Sequence, residues 1–442
     1  MTWLRNALDG VLLLGTGPEF AFGVLIVAAV IVVVLLRGLH FSRTGWMFVL
    51  GVPTAFAVAA WFVFDVLWLP FVDPFGWIIW ALLWVGVFLP LLALWPRQPV
   101  LVGLDATALS RLLRLQPLWK LGRAATAAVI AVAVLLSTAG MLGAMNARFG
   151  AYRTLAGAVG VGADYRSLGD VPQGPVDGQV SGRGTLVEAQ LPGARSGWNP
   201  RPAVIYLPPV YQHAGGRDLP VLVLMAGQPG APRTWVDAGE MQMSLHTYAA
   251  AHDGAAPVVV VVDQLGGSLT SPLCSDSEAG NVAEYLQRDV PDWIEKNLQV
   301  THDRNRWGIG GLSNGGTCAL QVVTRNPDAY SLVLNMSGEA VPKLSGSASA
   351  VDVIFRGDER AFSQNNPADL MKTHRYPSVR GVFSVGKDDQ RYRDKLKKLY
   401  DEGRAAGMQL EWREYPGGHS WRVWRPAFAD QLEWFGQQTG FA

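Results

Sequence analysis

The residues best placed to do chemistry are Gly311-Leu312-Ser313-Asn314-Gly315. This G-x-S-x-G follows a strand-like run and precedes a helical one, so it reads as a sharp strand-to-helix turn with a strained backbone. Small neighbours avoid clashes there, and the turn lifts the Ser313 hydroxyl above the sheet edge. The helix from Asn314 onward aims its positive end at the reaction centre, favouring developing negative charge. Ser313 is therefore the candidate nucleophile. The alternative is a glycine-rich turn without chemistry.

A hydroxyl needs a base and an orienting acid, in the chain order Ser, Asp/Glu, His for this kind of turn. Two histidines follow Ser313, His374 and His419. His374 precedes every well-placed acid. His419 lies in Pro416-Gly417-Gly418-His419-Ser420-Trp421, straight after the last strand-like run, where a base belongs. The acid belongs after the preceding strand, and Gly386-Lys387-Asp388-Asp389 offers two candidates that order alone does not separate. The oxyanion formed on attack needs two backbone N–H donors. One is that of Asn314. The other is expected from the loop Met225-Ala226-Gly227-Gln228-Pro229-Gly230, with the N–H of Gln228 as candidate. The chemistry is acyl transfer through an acyl-enzyme, completed by water or by a second alcohol, and it requires no metal or organic cofactor.

These residues need an α/β scaffold, and the sequence supplies one. Leu219–Met225 and Pro257–Asp263 are continuous β-branched runs suited to strands buried on both faces. Asn305–Gly311, Ser331–Met336, Gly381–Val385 and Leu410–Tyr415 follow, with helical segments such as Gly280–Asn297 and Asp389–Gly407 between them. Alternating strands and helices imply a mostly parallel sheet. Thr185–Gln190 and Ala203–Leu207 read as added, antiparallel strands.

The rest of the chain differs in kind. Of 442 residues half are hydrophobic and only 17% charged, below the roughly one quarter usual in soluble domains. The excess lies in four runs: Phe20–Leu36, Trp46–Phe71, Gly76–Trp95 and Ala124–Met145. Each is near the 20 or so residues that cross a hydrocarbon core. A cleavable signal peptide fits badly, since the first run starts late behind one basic residue, Arg5, and three more runs follow. Seven of the 17 tryptophans fall between Trp46 and Trp95, as interface-seeking indoles would. The first inter-span loop carries Arg37 and Arg43, and the third Arg97, Arg111, Arg114, Lys120 and Arg123. The second carries only Asp73. The positive-inside rule puts the basic loops in the cytoplasm and everything after Met145 outside. Residues 97–123 also read as an amphipathic segment on the inner surface or a simple loop. Asp65, within the second span, is either functional or an acid reaching headgroup water. Gly150–Gly182, weak in periodicity, reads as a linker. The expected domains are a four-span membrane unit over 1–149, a linker over 150–182 and an α/β-hydrolase domain over 183–442.

The stretch from about 200 to 440 resembles the esterase D/putative esterase family of α/β-hydrolases, which includes feruloyl esterases and the mycobacterial mycolyltransferases of the antigen 85 complex. Gly-Leu-Ser-x-Gly at 311–315, Gly-x-x-Asp at 386–389 and Gly-His-Ser-Trp-x-x-Trp at 418–424 carry the resemblance. It implies that Asp389, rather than Asp388, is the triad acid. It also implies substrate-side roles for Ser420 and Trp421. The tail at 419–424 is most like the mycolyltransferases, although those use a glutamate as the triad acid. The four spans are similar to membrane-tethered members of actinobacteria. The resemblance gives Cys274 and Cys318 a shared place at the carboxyl edge of the sheet. Outside the membrane it implies a disulfide between them.

These readings converge on a multi-pass protein of the cell membrane whose extracytoplasmic domain is a serine esterase or acyltransferase. Its substrate would be a lipid or glycolipid ester of the envelope. The rival is a non-catalytic scaffold that only binds. A net charge of +1 offers no basic field for nucleic acid. Four spans almost without charge do not suggest a transporter.

Overall fold

The computed structural model describes residues 2–14, 43–68, 74–94, 123–171, 182–213, 218–267, 270, 272–344 and 349–441. The chain divides into two units, one of Leu12–Gly150 and one of Met1–Val11 with Ala151–Ala442.

In the first unit, helix α1 (Arg43–Trp61) runs on into a π-helical segment, Phe62–Trp68. Helices α2 (Trp77–Leu94) and α3 (Arg123–Phe149) follow. Among the described residues, one helix is long and apolar enough by itself to cross a membrane, Thr44–Leu67, and only 17% of its apolar window is buried. The apolar part of α2, Trp77–Leu92, is shorter. Of the four crossings expected from composition, the described residues thus supply one. The span at Phe20–Leu36 and the segment 97–122 lie outside the described residues. Asp65 has a structural role. Its two oxygens accept from the N–H of Phe75 (3.2 Å) and from Trp80 Nε1 (2.9 Å), which ties the α1 extension to the start of α2. Trp84 Nε1 donates to Thr54 Oγ1 at 3.0 Å across the same helix pair.

The second unit is built on a nine-stranded sheet. Its strands are β1 (Arg166–Ser167), β2 (Thr185–Ala189), β3 (Ala203–Leu207), β4 (Val221–Met225) and β5 (Val258–Val262), then β8 (Trp307–Leu312), β9 (Leu332–Met336), β10 (Arg380–Gly386) and β11 (Gln409–Tyr415). A separate two-stranded ribbon pairs β6 (Asp276–Ser277) with β7 (Gly280–Asn281). The order across the main sheet is β1-β2-β3-β5-β4-β8-β9-β10-β11. Pairing is parallel from β5 to β11, and β3 is antiparallel to both β2 and β5. Side chains alternate faces along each strand. Val221, Val223 and Met225 of β4 enter one apolar cluster, Leu222 and Leu224 the other. Helices cover both faces, so the central strands have no solvent side and read as unbroken apolar runs.

The stretch from Gly150 reads as a linker, yet from Ala151 its described part belongs to the folded unit and adds two residues to the sheet. Arg166 and Ser167 pair parallel with Val187 and Glu188. Ala151, Tyr152, Ala163 and Tyr165 pack on the face formed by Trp235 and Trp421. The N-terminal helix Thr2–Asp9 joins the same unit: Arg5 pairs with Asp164, and Val11 O accepts the N–H of Leu155 at 3.0 Å. A two-residue strand and scattered tyrosines are too sparse to register as periodicity, which is why this segment escapes a pattern-based reading.

Under this segment lies Asp237, with Arg233 stacked on the Tyr165 ring at 4.6 Å. Burial pushes the Asp237 carboxyl up to about 6 from an ordinary 3.8, and Arg233 offsets this only in part. A raised acid keeps its proton longer when folded, so its stabilising contribution is present below about pH 3.8 and is lost as pH rises through about 6. Asp237→Asn is therefore expected to stabilise the fold at pH 7.5, by about 1 kcal/mol once screening of its part-exposed carboxylate is allowed for. Near pH 3.5 it should have no effect. Thermal unfolding in detergent at both pH values measures this, and an equal shift at both would contradict it.

Candidate active site

The parallel strands end at one edge, and each end delivers a residue of interest. Register aligns Met225 with both Val262 and Gly311, and Leu312 with Met336. It aligns Gly386 with Tyr415. Loop 226–230 leaves β4, Ser313 leaves β8, Asp389 follows β10 and His419 follows β11.

Ser313 stands between β8 and helix α4 (Asn314–Arg325) with φ 53° and ψ −118°, a left-handed backbone that costs a residue with a Cβ about 1–2 kcal/mol. The surroundings over-determine it. Its N–H donates to Met336 O at 2.8 Å, and its carbonyl accepts Thr317 N at 3.1 Å and Thr317 Oγ1 at 3.1 Å. The flanking glycines are required by close approach: a Cβ on Gly315 would run into the carbonyl oxygen of Met225. On Gly227 it would lie 2.7 Å from Leu312 Cδ1 and 3.3 Å from Ser313 Cβ. The loop after β4 thus passes directly beside the serine.

Of the two aspartates in the Gly386–Asp389 loop, Asp388 is exposed and Asp389 is fully buried. Asp389 Oδ2 meets His419 Nδ1 at 2.8 Å, while its Oδ1 accepts the Tyr392 N–H at 3.3 Å. Burial leaves this carboxylate no competing water, so the imidazole is oriented by it. The His419 ring is also held by two aromatics. Tyr392 stacks on it at 4.6 Å and 26°, and Trp424 meets it edge-on at 4.9 Å. Trp424 Nε1 in turn donates to Ser337 Oγ at 3.2 Å. Tyr392 OH donates to Glu339 Oε1 at 3.0 Å, and burial, reinforced by the Glu339 charge, holds this phenol protonated far above its ordinary range. Neither Tyr392 nor Ser337 stands out in the sequence. An aromatic three residues past an acid is common on any helix start.

Ser420 and Trp421 both lie at the start of the last helix. Ser420 starts helix α5 (Trp421–Thr439), its carbonyl accepting the N–H groups of Val423 (3.0 Å) and Trp424 (3.2 Å). Trp421 is core: Trp235 meets it at 5.9 Å and Trp424 at 5.4 Å, both edge-to-face, and the backbone of Gly239 closes on its ring. A tryptophan beside a histidine looks substrate-facing in one dimension. Here the helix turn carries its ring back into the sheet-packing layer. The Gln228 side chain reaches Thr270 O at 3.0 Å. Cys274 and Cys318 form a disulfide, Cα to Cα 5.5 Å, joining the loop after β5 to α4.

A sequence model of the family described as "Putative esterase" matches residues 197–435, more than half of the chain. The chain belongs to this esterase family. It is a hydrolase of the α/β type. An uncharacterized protein of Corynebacterium glutamicum is 36% identical over 424 residues, covering 92% of this chain and 93% of that one. Among solved structures, a ferulic acid esterase matches with TM-score 0.50 and 20% identity, over 58% of this chain and 98% of its own. At that identity the likeness speaks for the fold. An S-formylglutathione hydrolase from Agrobacterium tumefaciens is similar with TM-score 0.49 and 18% identity, over 61% of this chain and all of its own.

Proposed function

We propose that the protein is a membrane-anchored serine esterase or acyltransferase with Ser313 as nucleophile, His419 as base and Asp389 as orienting acid. The observation that carries this reading is the buried Asp389–His419 pair, 2.8 Å apart, at the strand edge from which Ser313 rises on a left-handed turn. His419 takes the Ser313 proton as the hydroxyl attacks an ester carbonyl. The N–H groups of Asn314 and Gln228 hold the oxyanion. The protonated His419 then gives its proton to the departing alcohol, leaving an acyl-enzyme. Water, or a second alcohol such as a sugar hydroxyl, attacks in turn and releases the acyl group.

In this reading residues 1–149 anchor the enzyme and 183–442 carry the chemistry outside the cell. Three arguments support the topology. The basic loops mark the cytoplasmic side. The disulfide needs an oxidising compartment to persist. Thr2–Val11 and the chain from Ala151 join one folded unit, which fits a proposed even number of crossings between them. The four proposed crossings have that parity. Ester-linked acyl groups of envelope lipids or glycolipids are the substrates nearest to a site placed there. The likeness of 418–424 to the mycolyltransferase tail points the same way.

A fluorophosphonate probe tests the reading. On intact cells, a probe that does not cross the membrane is expected to label the wild type and not Ser313→Ala. An unlabelled wild type, or equal labelling of Ser313→Ala, would sink the nucleophile assignment. Labelling only after lysis would overturn the topology.

A further inference from the structure

Two consecutive residues leave the carboxyl end of β5, Asp263 and Gln264, and both side chains are almost wholly buried. Between them they hold both ends of the 226–230 loop. Asp263 grips Arg201 through two contacts, Nε to Oδ2 at 2.8 Å and Nη2 to Oδ1 at 2.7 Å. Arg201 Nη2 then donates to Gly230 O at 3.0 Å, the far end of the loop. Gln264 takes the near end, where Nε2 donates to Ala226 O at 2.6 Å. The same nitrogen donates to Asn314 Oδ1 at 3.1 Å. Ala226 O can only accept, so the amide must present its NH2 here. Its two protons serve the two acceptors one each. In the sheet β4 lies between β5 and β8, so Gln264 reaches across the end of β4 to the turn after β8.

Those two acceptors lie on the two arms that supply the candidate oxyanion donors, Gln228 and Asn314. We propose that Gln264 is a positioning residue of the oxyanion hole, one buried amide that fixes the spacing of its two arms. The inference rests on the reading of Ser313 as nucleophile. Donors of this kind act because they are in place, 2.7–3.1 Å from where the oxyanion will form, before charge develops. The ground-state carbonyl is less charged and feels a displaced donor less. Loosening the arms therefore costs the transition state more than the bound ester, and it falls on kcat rather than on KM.

The test uses the full-length protein in detergent with p-nitrophenyl butyrate. Gln264→Met keeps the length and removes both donors. Its kcat per probe-titrated site is expected to fall about 10- to 100-fold, short of the loss of a whole donor, with KM within about two-fold. Binding of a trifluoromethyl ketone, which forms the tetrahedral adduct, should weaken by the same factor as kcat. Asn314→Ala keeps that residue's N–H but removes the acceptor, and the double variant should be no worse than the poorer single one. Where Gln264→Met does not fold, Gln264→Asn, one methylene too short to bridge both arms, is expected to show the same split. Unchanged kcat, a loss confined to KM, or fully additive losses in the double variant would overturn the proposal. Failure of the nucleophile reading looks different, since Ser313→Ala would then retain wild-type turnover.

Discussion

Asp389→Asn is expected to lower kcat about 10⁴-fold while leaving KM and the fold in place. The two side chains are isosteric, so the buried position stays filled. Their hydrogen-bonding capacity differs. The Tyr392 N–H, 3.3 Å from Oδ1, requires an acceptor there, so the amide oxygen of asparagine takes that place. The amide NH2 then faces His419 Nδ1, which accepts from Asp389 Oδ2 nothing but offers its own proton to it at 2.8 Å in the native pair. Facing a donor, Nδ1 must give up that proton and the ring must carry it on Nε2. That tautomer has no lone pair to take the Ser313 proton, and the acylation step stalls. Asp388, exposed one residue earlier, controls for local disturbance, and Asp388→Asn should stay within about two-fold. Steady-state ester hydrolysis by the three proteins decides it. Near-wild-type turnover of Asp389→Asn, or an equal loss in Asp388→Asn, would remove Asp389 from the mechanism.

The strand grammar was legible because the central strands are buried on both faces and so carry unbroken apolar runs. The serine turn was legible because glycines are forced there by contact: Gly315 against Met225 O leaves no room for any other residue. The place of His419 after the last strand was legible from chain order alone. Asp388 and Asp389 are not separated in one dimension, because burial, which leaves Asp389 0% exposed, is not visible in a pair of adjacent identical residues. Gln264 was not legible at all. Its role depends on bringing Ala226 and Asn314 together, residues far apart in the chain that only the β5-β4-β8 order makes neighbours. Trp421 shows the converse. Its neighbourhood in the sequence suggests the site, while its ring is taken up by packing against Trp235. Hydropathy marked the apolar runs of 1–149, but not the return of Thr2–Val11 to the later unit, which is seen in the pairing of Arg5 with Asp164 and of Val11 with Leu155.

Removing the Cys274–Cys318 bridge is expected to cost about 4 kcal/mol of stability in the hydrolase unit, from the loop-closure entropy returned to the unfolded chain. The bridge closes a separation of 44 residues, long enough for that term to be large. Local structure adds to the expectation. Leu273 and Cys274 both hold left-handed backbones, at φ 60° and 50°, which a loop of non-glycine residues adopts only when it is tied down. Leu273 anchors a small apolar cluster with Ala350 and Phe355, so a released loop would also loosen the segment that follows β9. Cys318 lies one turn into α4, behind Asn314, and the slack would reach the serine turn from that side. Urea unfolding of the oxidised protein, the reduced protein and a Cys274→Ala/Cys318→Ala variant measures the effect. The two bridge-free forms should unfold together, well below the oxidised one. Coincident curves for all three would mean the bridge does not stabilise the fold. A domain that loses about 4 kcal/mol without its bridge has lost a large share of the usual 5–15 kcal/mol.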